Sequence, residues 1–147
     1  MSASRRQALV LLAGVLAAGR AGATPADAEM AIAAIAKGAV PRTGRVKLDI
    51  PTIAENGNTV PVTVTVESPM TAADHVTGIH LIAEANPLPN LVSFHFGPRA
   101  GKAEVSTRIR LFTTQTVRAF ATMSDGSVWA DGVEVLVTIA ACIEGLD

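Results

Sequence analysis

From Arg45 onward the chain alternates apolar and polar residues with a period of two. Val46, Leu48 and Ile50 alternate with Arg45, Lys47 and Asp49, and Val60, Val62, Val64 and Val66 alternate with Pro61, Thr63, Thr65 and Glu67. Such alternation sends one set of side chains to each face, so both stretches are half-buried strands. Asn56-Gly57 between them is a tight-turn signal. Pro61 has no N–H to give to a ladder, which predicts a strand that lies at an edge or pairs on one side there. Shorter strands are expected at residues 79–83 and 91–96, joined by the turn Asn86-Pro87-Leu88-Pro89-Asn90.

Val105, Thr107, Ile109 and Leu111 alternate with Glu104, Ser106, Arg108 and Arg110, and Val117, Ala119, Ala121 and Met123 continue the pattern. Asp125-Gly126 turns the chain into Ser127-Val128-Trp129 as a hairpin. Asp131-Gly132 then leads into a last strand with Val133, Val135, Val137 and Ile139 on one face and Glu134, Leu136 and Thr138 on the other. Ahead of all this stands a short helix. Thr24 can cap it, Pro25 suits the first helical position, and Asp27 and Glu29 sit near the positive end of the helix dipole. Met30, Ala33, Ala34 and Lys37 follow at helical spacing, Ile32 and Ile35 face the sheet, and Gly38 ends the element. Short strands between Gly and Pro turns, with one N-terminal helix, predict a mainly β chain: an immunoglobulin-like antiparallel β-sandwich.

The length of 147 residues allows one such domain, and 49% hydrophobic against 17% charged residues allows a core. There are four Phe, one Trp and no Tyr, so Val, Ile, Leu and Ala must fill that core. The formal net charge is −1 and no basic stripe with interleaved aromatics occurs, which argues against nucleic acid as a partner.

Residues 1–23 read as an export signal. Arg5 and Arg6 precede an apolar run from Ala8 to Ala18, too short for a bilayer, which takes roughly 20 residues. Ala21-Gly22-Ala23 has the form of a cleavage site. The Arg5-Arg6 pair is similar to a twin-arginine signal, with Ala8 in place of the usual bulky residue. Cleavage before Thr24 removes Arg5, Arg6 and Arg20 and no acid, leaving 9 basic against 13 acidic residues. The expected product is a soluble acidic protein of the periplasm with no membrane role: residues 24–139 as the domain and 140–147 as a C-terminal arm.

Cys142 is the only cysteine. It admits no intramolecular disulfide, and no zinc framework surrounds it. Its position just after the last strand suits a nucleophile carried on an arm, since a thiolate takes up sulfane sulfur or sulfonate reversibly. A free cysteine is equally at home as a small buried hydrophobe at a strand end.

The chain from about Asp49 to Cys142 resembles the SoxY family, the sulfur-carrying subunit of the periplasmic thiosulfate-oxidising (Sox) system. The resemblance is carried by Ile53-Ala54-Glu55-Asn56-Gly57-Asn58-Thr59-Val60-Pro61-Val62, Ser68-Pro69-Met70, Asn86-Pro87-Leu88-Pro89 and Phe94-His95-Phe96. It continues through the stretch from Gly101 to Leu111, through Met123-Ser124-Asp125-Gly126-Ser127-Val128-Trp129, and along Val135-Leu136-Val137-Thr138-Ile139 to Cys142. It implies an immunoglobulin-like sandwich paired with a SoxZ-like β-protein. It also implies that Cys142 is the covalent attachment point for sulfur intermediates and that separate Sox enzymes load, hydrolyse and oxidise the cargo. The chain would then be a carrier and not an enzyme, and the resemblance implies no cofactor.

The arm departs from the family's Gly-Gly-Cys-Gly-Gly pattern. Ala140, Ala141, Ile143, Glu144 and Gly145 surround the cysteine here. Alanine and isoleucine restrict the backbone where glycine would free it. Glu144 and Asp147 add negative charge, which disfavours the thiolate.

Two further readings stand beside the carrier. One is a structural or interaction sandwich whose thiol is not used. The other is a metal or redox protein using His75, His80 and His95, although residues 75 and 80 on one strand would face opposite sides. The expectation is no metal and ordinary polar or interface histidines. Arg108 and Arg110 share one strand face and are expected to be solvated or to meet a subunit, and Trp129 is expected in a core or interface. Leu136 on the polar face of the last strand hints at an interface.

Overall fold

The computed structural model describes residues 23–138. The arm residues Ala140, Ala141, Cys142, Ile143, Glu144 and Gly145, and the signal residues Arg5 and Arg6, lie outside them. Helix α1 spans Pro25–Ala36, followed by strands β1 (Val46–Asp49), β2 (Ile53–Ala54), β3 (Val60–Val66), β4 (Val76–Ala83) and β5 (Asn90–His95). A short 3-10 turn at Pro98–Ala100 leads to β6 (Glu104–Ile109), β7 (Gln115–Met123) and β8 (Val128–Val137).

The strands form two sheets, ordered β1-β3-β6 and β2-β8-β7-β4-β5. All pairings are antiparallel except that of β2 with β8. The inner faces pack on each other as the valine alternation predicts. Val60, Val62, Val64 and Val66 of β3 meet Ile79, Leu81, Val117, Ala119, Ala121 and Val135 of the larger sheet in one buried cluster. The predicted immunoglobulin-like sandwich with one helix is the observed architecture. β3 is the central strand of its sheet, yet β1 pairs only residues 63–66, so at Pro61 the sole neighbour is Arg108 of β6. The missing N–H of proline therefore costs no ladder bond on the β1 side.

α1 begins where expected. The carboxylate of Asp27 accepts hydrogen bonds from the Thr24 N–H at 2.6 Å and the Thr24 hydroxyl at 2.9 Å. These bonds hold Asp27 below the usual carboxylate range. The helix ends with Lys37 in the left-handed region, its N–H donating to the Ala33 carbonyl at 2.9 Å, and Gly38 follows at φ 89°. α1 lies across the outer face of the five-stranded sheet. There Ala28, Ile32 and Ala36 bury Phe120, Ile82 and Val128 in a second core, with Ile35 packed at its margin.

One sequence expectation is corrected. Asp131-Gly132 does not divide two strands: β8 runs unbroken through both residues. The Asp131 carboxylate accepts the Leu48 N–H of the opposite sheet at 2.9 Å and the Gly132 N–H at 2.9 Å. A Cβ at Gly132 would come within 3.3 Å of the Arg118 side chain, so glycine lets that side chain lie over the strand. The dipeptide that usually signals a turn here ties two sheets together. Arg42 adds a parallel bridge to Trp129, with Ala130 N–H donating to its carbonyl at 2.7 Å.

The end of the sandwich where β8 stops is pinned by two buried amides. Asn86 donates to the Arg110 carbonyl at 2.7 Å and accepts from the Phe112 N–H at 3.1 Å and from Gln115 Nε2 at 2.8 Å. Gln115 also donates to the Thr113 carbonyl and accepts from the Ala85 N–H. Nearby, a Cβ at Gly57 would run into the Leu111 carbonyl, so glycine is required for the 56–59 turn to pack there.

Two stability predictions follow from this packing. Phe120→Ala empties the second core and should cost about 3–5 kcal/mol in urea unfolding. Asp131→Ala removes a charge-assisted bond between the sheets and should cost about 1.5–3 kcal/mol, while Asp131→Asn, which keeps an acceptor oxygen, should cost less.

Candidate functional site

The root of the arm is held on both sides. On one edge of β8, Leu136 N–H donates to the Thr52 carbonyl at 2.8 Å and Thr138 N–H to the Ala54 carbonyl at 3.0 Å. On the other, the Thr114 hydroxyl accepts the Val137 N–H at 3.0 Å and reaches the Val137 carbonyl at 3.5 Å. Thr114 belongs to the loop that Asn86 and Gln115 fix. The backbone is therefore anchored up to Thr138, and Cys142 comes four residues later. Four residues at full extension span at most about 14 Å.

Three surfaces stand out among the described residues. Ile53 and Leu136 are register partners of β2 and β8 and are 57% and 49% exposed. They form an apolar pair on the outer face at the sheet margin, and Leu136 is the residue whose placement on the polar face the sequence had already marked. A second surface is a groove of about 450 Å³ lined by Pro87, Leu88, Arg108, Arg110 and Phe112. Arg110 stacks on Phe112, its guanidinium carbon 4.7 Å from the ring centre. The exposure of Leu88 and Phe112 has no signal in the alternation pattern, because both sit in loops.

The third surface lies under α1. His80 and His95 come together there, their ring centres 6.3 Å apart and nearly perpendicular. His80 Nδ1 is 2.8 Å from the Ser93 hydroxyl. Burial, and after it the neighbouring His95, holds His80 below the usual imidazole range. His75 stands apart just before β4, with Nδ1 2.9 Å from the Thr71 carbonyl. Among the described residues no three His, Cys, Asp or Glu side chains converge as a metal cluster. Trp129 is half-buried, with the guanidinium carbons of Arg42 and Arg45 5.9 and 5.2 Å from its ring centre, and donates to the Ser127 hydroxyl at 3.1 Å. It is a packing residue of the β8 edge.

Residues 32–142 match the family described as sulfur oxidation protein SoxY. The sulfur carrier protein SoxY from Chlorobium limicola f thiosulfatophilum is similar in structure, with 32% sequence identity over 79% of this chain and 100% of that one, and a TM-score of 0.66. The superoxide reductase (neelaredoxin) from Ignicoccus hospitalis shares 21% identity over 71% of this chain and 86% of its own, with a TM-score of 0.58. The superoxide reductase from Nanoarchaeum equitans shares 13% over 65% of this chain and 100% of its own, with a TM-score of 0.54. At those identities the reductases share the fold alone. No curated protein matches the sequence. The match reaches from α1 through all eight strands to the lone cysteine, and the chain belongs to the SoxY family.

Proposed function

We propose that the chain is a sulfur carrier of the Sox system that holds its cargo covalently on Cys142, as one subunit of a SoxYZ-like complex. The observation that carries this reading is the family match, which ends on Cys142 four residues beyond the anchored end of β8. A thiol carried just beyond that anchor would be tied to a rigid body while standing outside the sheet. That suits a group handed between enzymes and does not suit a catalyst, which needs its reacting atoms held among fixed partners.

Joining the terminal sulfur of thiosulfate to the thiolate forms an S–S bond and gives up two electrons (RS⁻ + S₂O₃²⁻ → RS–S–SO₃⁻ + 2 e⁻), so a separate redox partner must accept them. Hydrolysis and further oxidation of the cargo belong to other enzymes as well. The exposed Ile53–Leu136 pair beside the arm root supports a face for the SoxZ-like β-subunit. An export segment over residues 1–23 with Arg5 and Arg6 supports a periplasmic setting.

Mass spectrometry of protein purified without reductant tests the carriage. The expected result is a reductant-labile sulfur adduct on Cys142, lost in Cys142→Ala together with thiosulfate oxidation by the reconstituted system. An always unmodified thiol during active oxidation, with Cys142→Ala harmless, overturns it and leaves a structural or interaction sandwich. A second outcome concerns the acidic arm. Glu144 and Asp147 disfavour the reactive thiolate, so Glu144→Gln should speed alkylation of Cys142 by iodoacetamide about two- to threefold near pH 7 and low salt, and the gain should shrink as salt screens the charges.

A further inference from the structure

β5 and β6 are each the last strand of their sheet. Among the described residues each therefore has one edge with no strand beside it, and such edges are ordinarily blunted by charge or covered by another segment. The groove of about 450 Å³ lies between them, with Asn90, Leu91 and Val92 of β5 on one side and Thr107, Arg108 and Ile109 of β6 on the other. The loop before β5 adds Leu88 and the loop after β6 adds Phe112, 77% and 55% exposed. Two large apolar side chains bared in one groove form a patch and not scattered surface residues.

Arg108 and Arg110 flank this patch, and both are exposed. Among the described residues neither is in an ion pair, whereas Arg45, Lys102 and Arg118 each are. Arg110 lays its guanidinium on the Phe112 ring at 4.7 Å, an arrangement that still leaves its N–H groups free to donate in the plane. No carboxylate lines the groove. Apolar side chains beside two unmatched guanidiniums suit an extended segment that is both apolar and acidic.

The chain itself has such a segment. Ile143-Glu144-Gly145-Leu146-Asp147 carries two apolar and two acidic side chains and no base. The reach closes as well. The Thr114 hydroxyl holds the Val137 N–H at 3.0 Å. Phe112 is two residues from Thr114, at most about 7 Å, and Ile143 is five residues from Thr138, at most about 17 Å. A tether this short gives the segment an effective concentration on the order of millimolar at the groove, so even a weak contact is populated.

We propose that residues 143–147 dock in the β5–β6 groove of their own chain, with Ile143 and Leu146 against Leu88 and Phe112 and the carboxylates of Glu144 and Asp147 toward Arg108 and Arg110. Docked and released are then two states of the arm, and whatever takes the arm must first compete with the groove. Because exposed ion pairs contribute, salt shifts the balance toward release. The dock does not require that Cys142 carry sulfur.

Cys142 is the only cysteine, so a nitroxide spin label placed on it reports where the segment sits. Amide NMR of the isotope-labelled chain at low salt should show strong paramagnetic broadening at Leu88, Arg110 and Phe112 and none at Gly126, at the opposite end of the sandwich. A loose tether alone also brings the label near Thr114, so the comparison between variants decides. Glu144→Gln combined with Asp147→Asn removes two exposed ion pairs and should lower the docking equilibrium about fivefold. Arg108→Gln, Leu146→Ser and high salt should each reduce the broadening in the same direction, with an unchanged unfolding midpoint for the variants. A mixture of isotope-labelled Cys142→Ala chain with spin-labelled chain of natural isotope content reads docking between copies. Broadening at Leu88 and Phe112 that is equal in all these variants, broadening concentrated at Ile53 and Leu136 instead, or broadening that passes between copies in the mixture overturns the proposal. The sulfur adduct on Cys142 is read by mass on unlabelled protein, so either proposal can fail while the other stands.

Discussion

The stretch from Arg42 to Ala54 sutures the two sheets along one edge of β8, and the placement of everything else depends on it. Arg42 bridges Trp129, Leu48 gives its N–H to Asp131, and Ile53 and Ala54 pair in parallel with Leu136 and Val137. Meanwhile β1, in the middle of the same stretch, belongs to the other sheet. A long strand with one bare edge would invite pairing with another chain. Here that edge is occupied piecewise by a segment whose own side chains Val46, Leu48 and Ile50 are buried between the sheets. Edge protection and core burial come from the same residues, so β8 cannot slip without exposing part of the core.

A core built from Val, Ile, Leu and Ala has a further consequence. Such side chains fill the space between two sheets but leave the outer faces to find their own cover. On the five-stranded sheet Phe120 points outward and is fully buried only because α1 lies over it with Ala28, Ile32 and Ala36. The helix divides that outer face. Toward β2 the apolar pair Ile53 and Leu136 remains exposed, and toward β5 the polar groove with His80 and His95 remains open. One packing event thus leaves an apolar surface and a polar one on either side of a single helix.

Much of the fold is legible in the sequence, because period-two alternation reports burial directly. β1, β3, β6 and β7 read clearly in it, and so does α1, whose start is written in Thr24, Pro25 and Asp27. β2 is only two residues long and carries no period, so no local pattern reveals it. Asp131-Gly132 misleads because the same small polar pair that suits a turn also suits a strand crossed by another side chain. Asn86 reads as a turn residue, and its role as a buried hub depends on Gln115, which is distant in sequence. The pairing of His80 with His95 depends on register and a bulge, neither of which composition discloses. Cys142 lies outside the described residues, and its proposed role comes from the residues of the resemblance and from its count of one, not from geometry.

The division of labour between sandwich and arm follows from what each kind of environment does to sulfur. A cysteine inside a close-packed valine core is shielded from reagents and held as a thiol by burial, so it cannot exchange cargo. A thiol held outside such a core would meet neither restriction, but on an untethered chain it would lose the effective concentration that delivers it to a partner. The proposed carrier needs both conditions, and β8 supplies the boundary between them. Its hydrogen bonds to Thr52, Ala54 and Thr114 fix one end, and the few residues that follow would set the reach of the proposed attachment point. Glycine at Ala140, Ala141 and Ile143 would widen the set of paths within that reach. Alanine and isoleucine restrict the backbone where glycine would free it, so the proposed carrier would trade freedom of approach for a more defined direction of delivery.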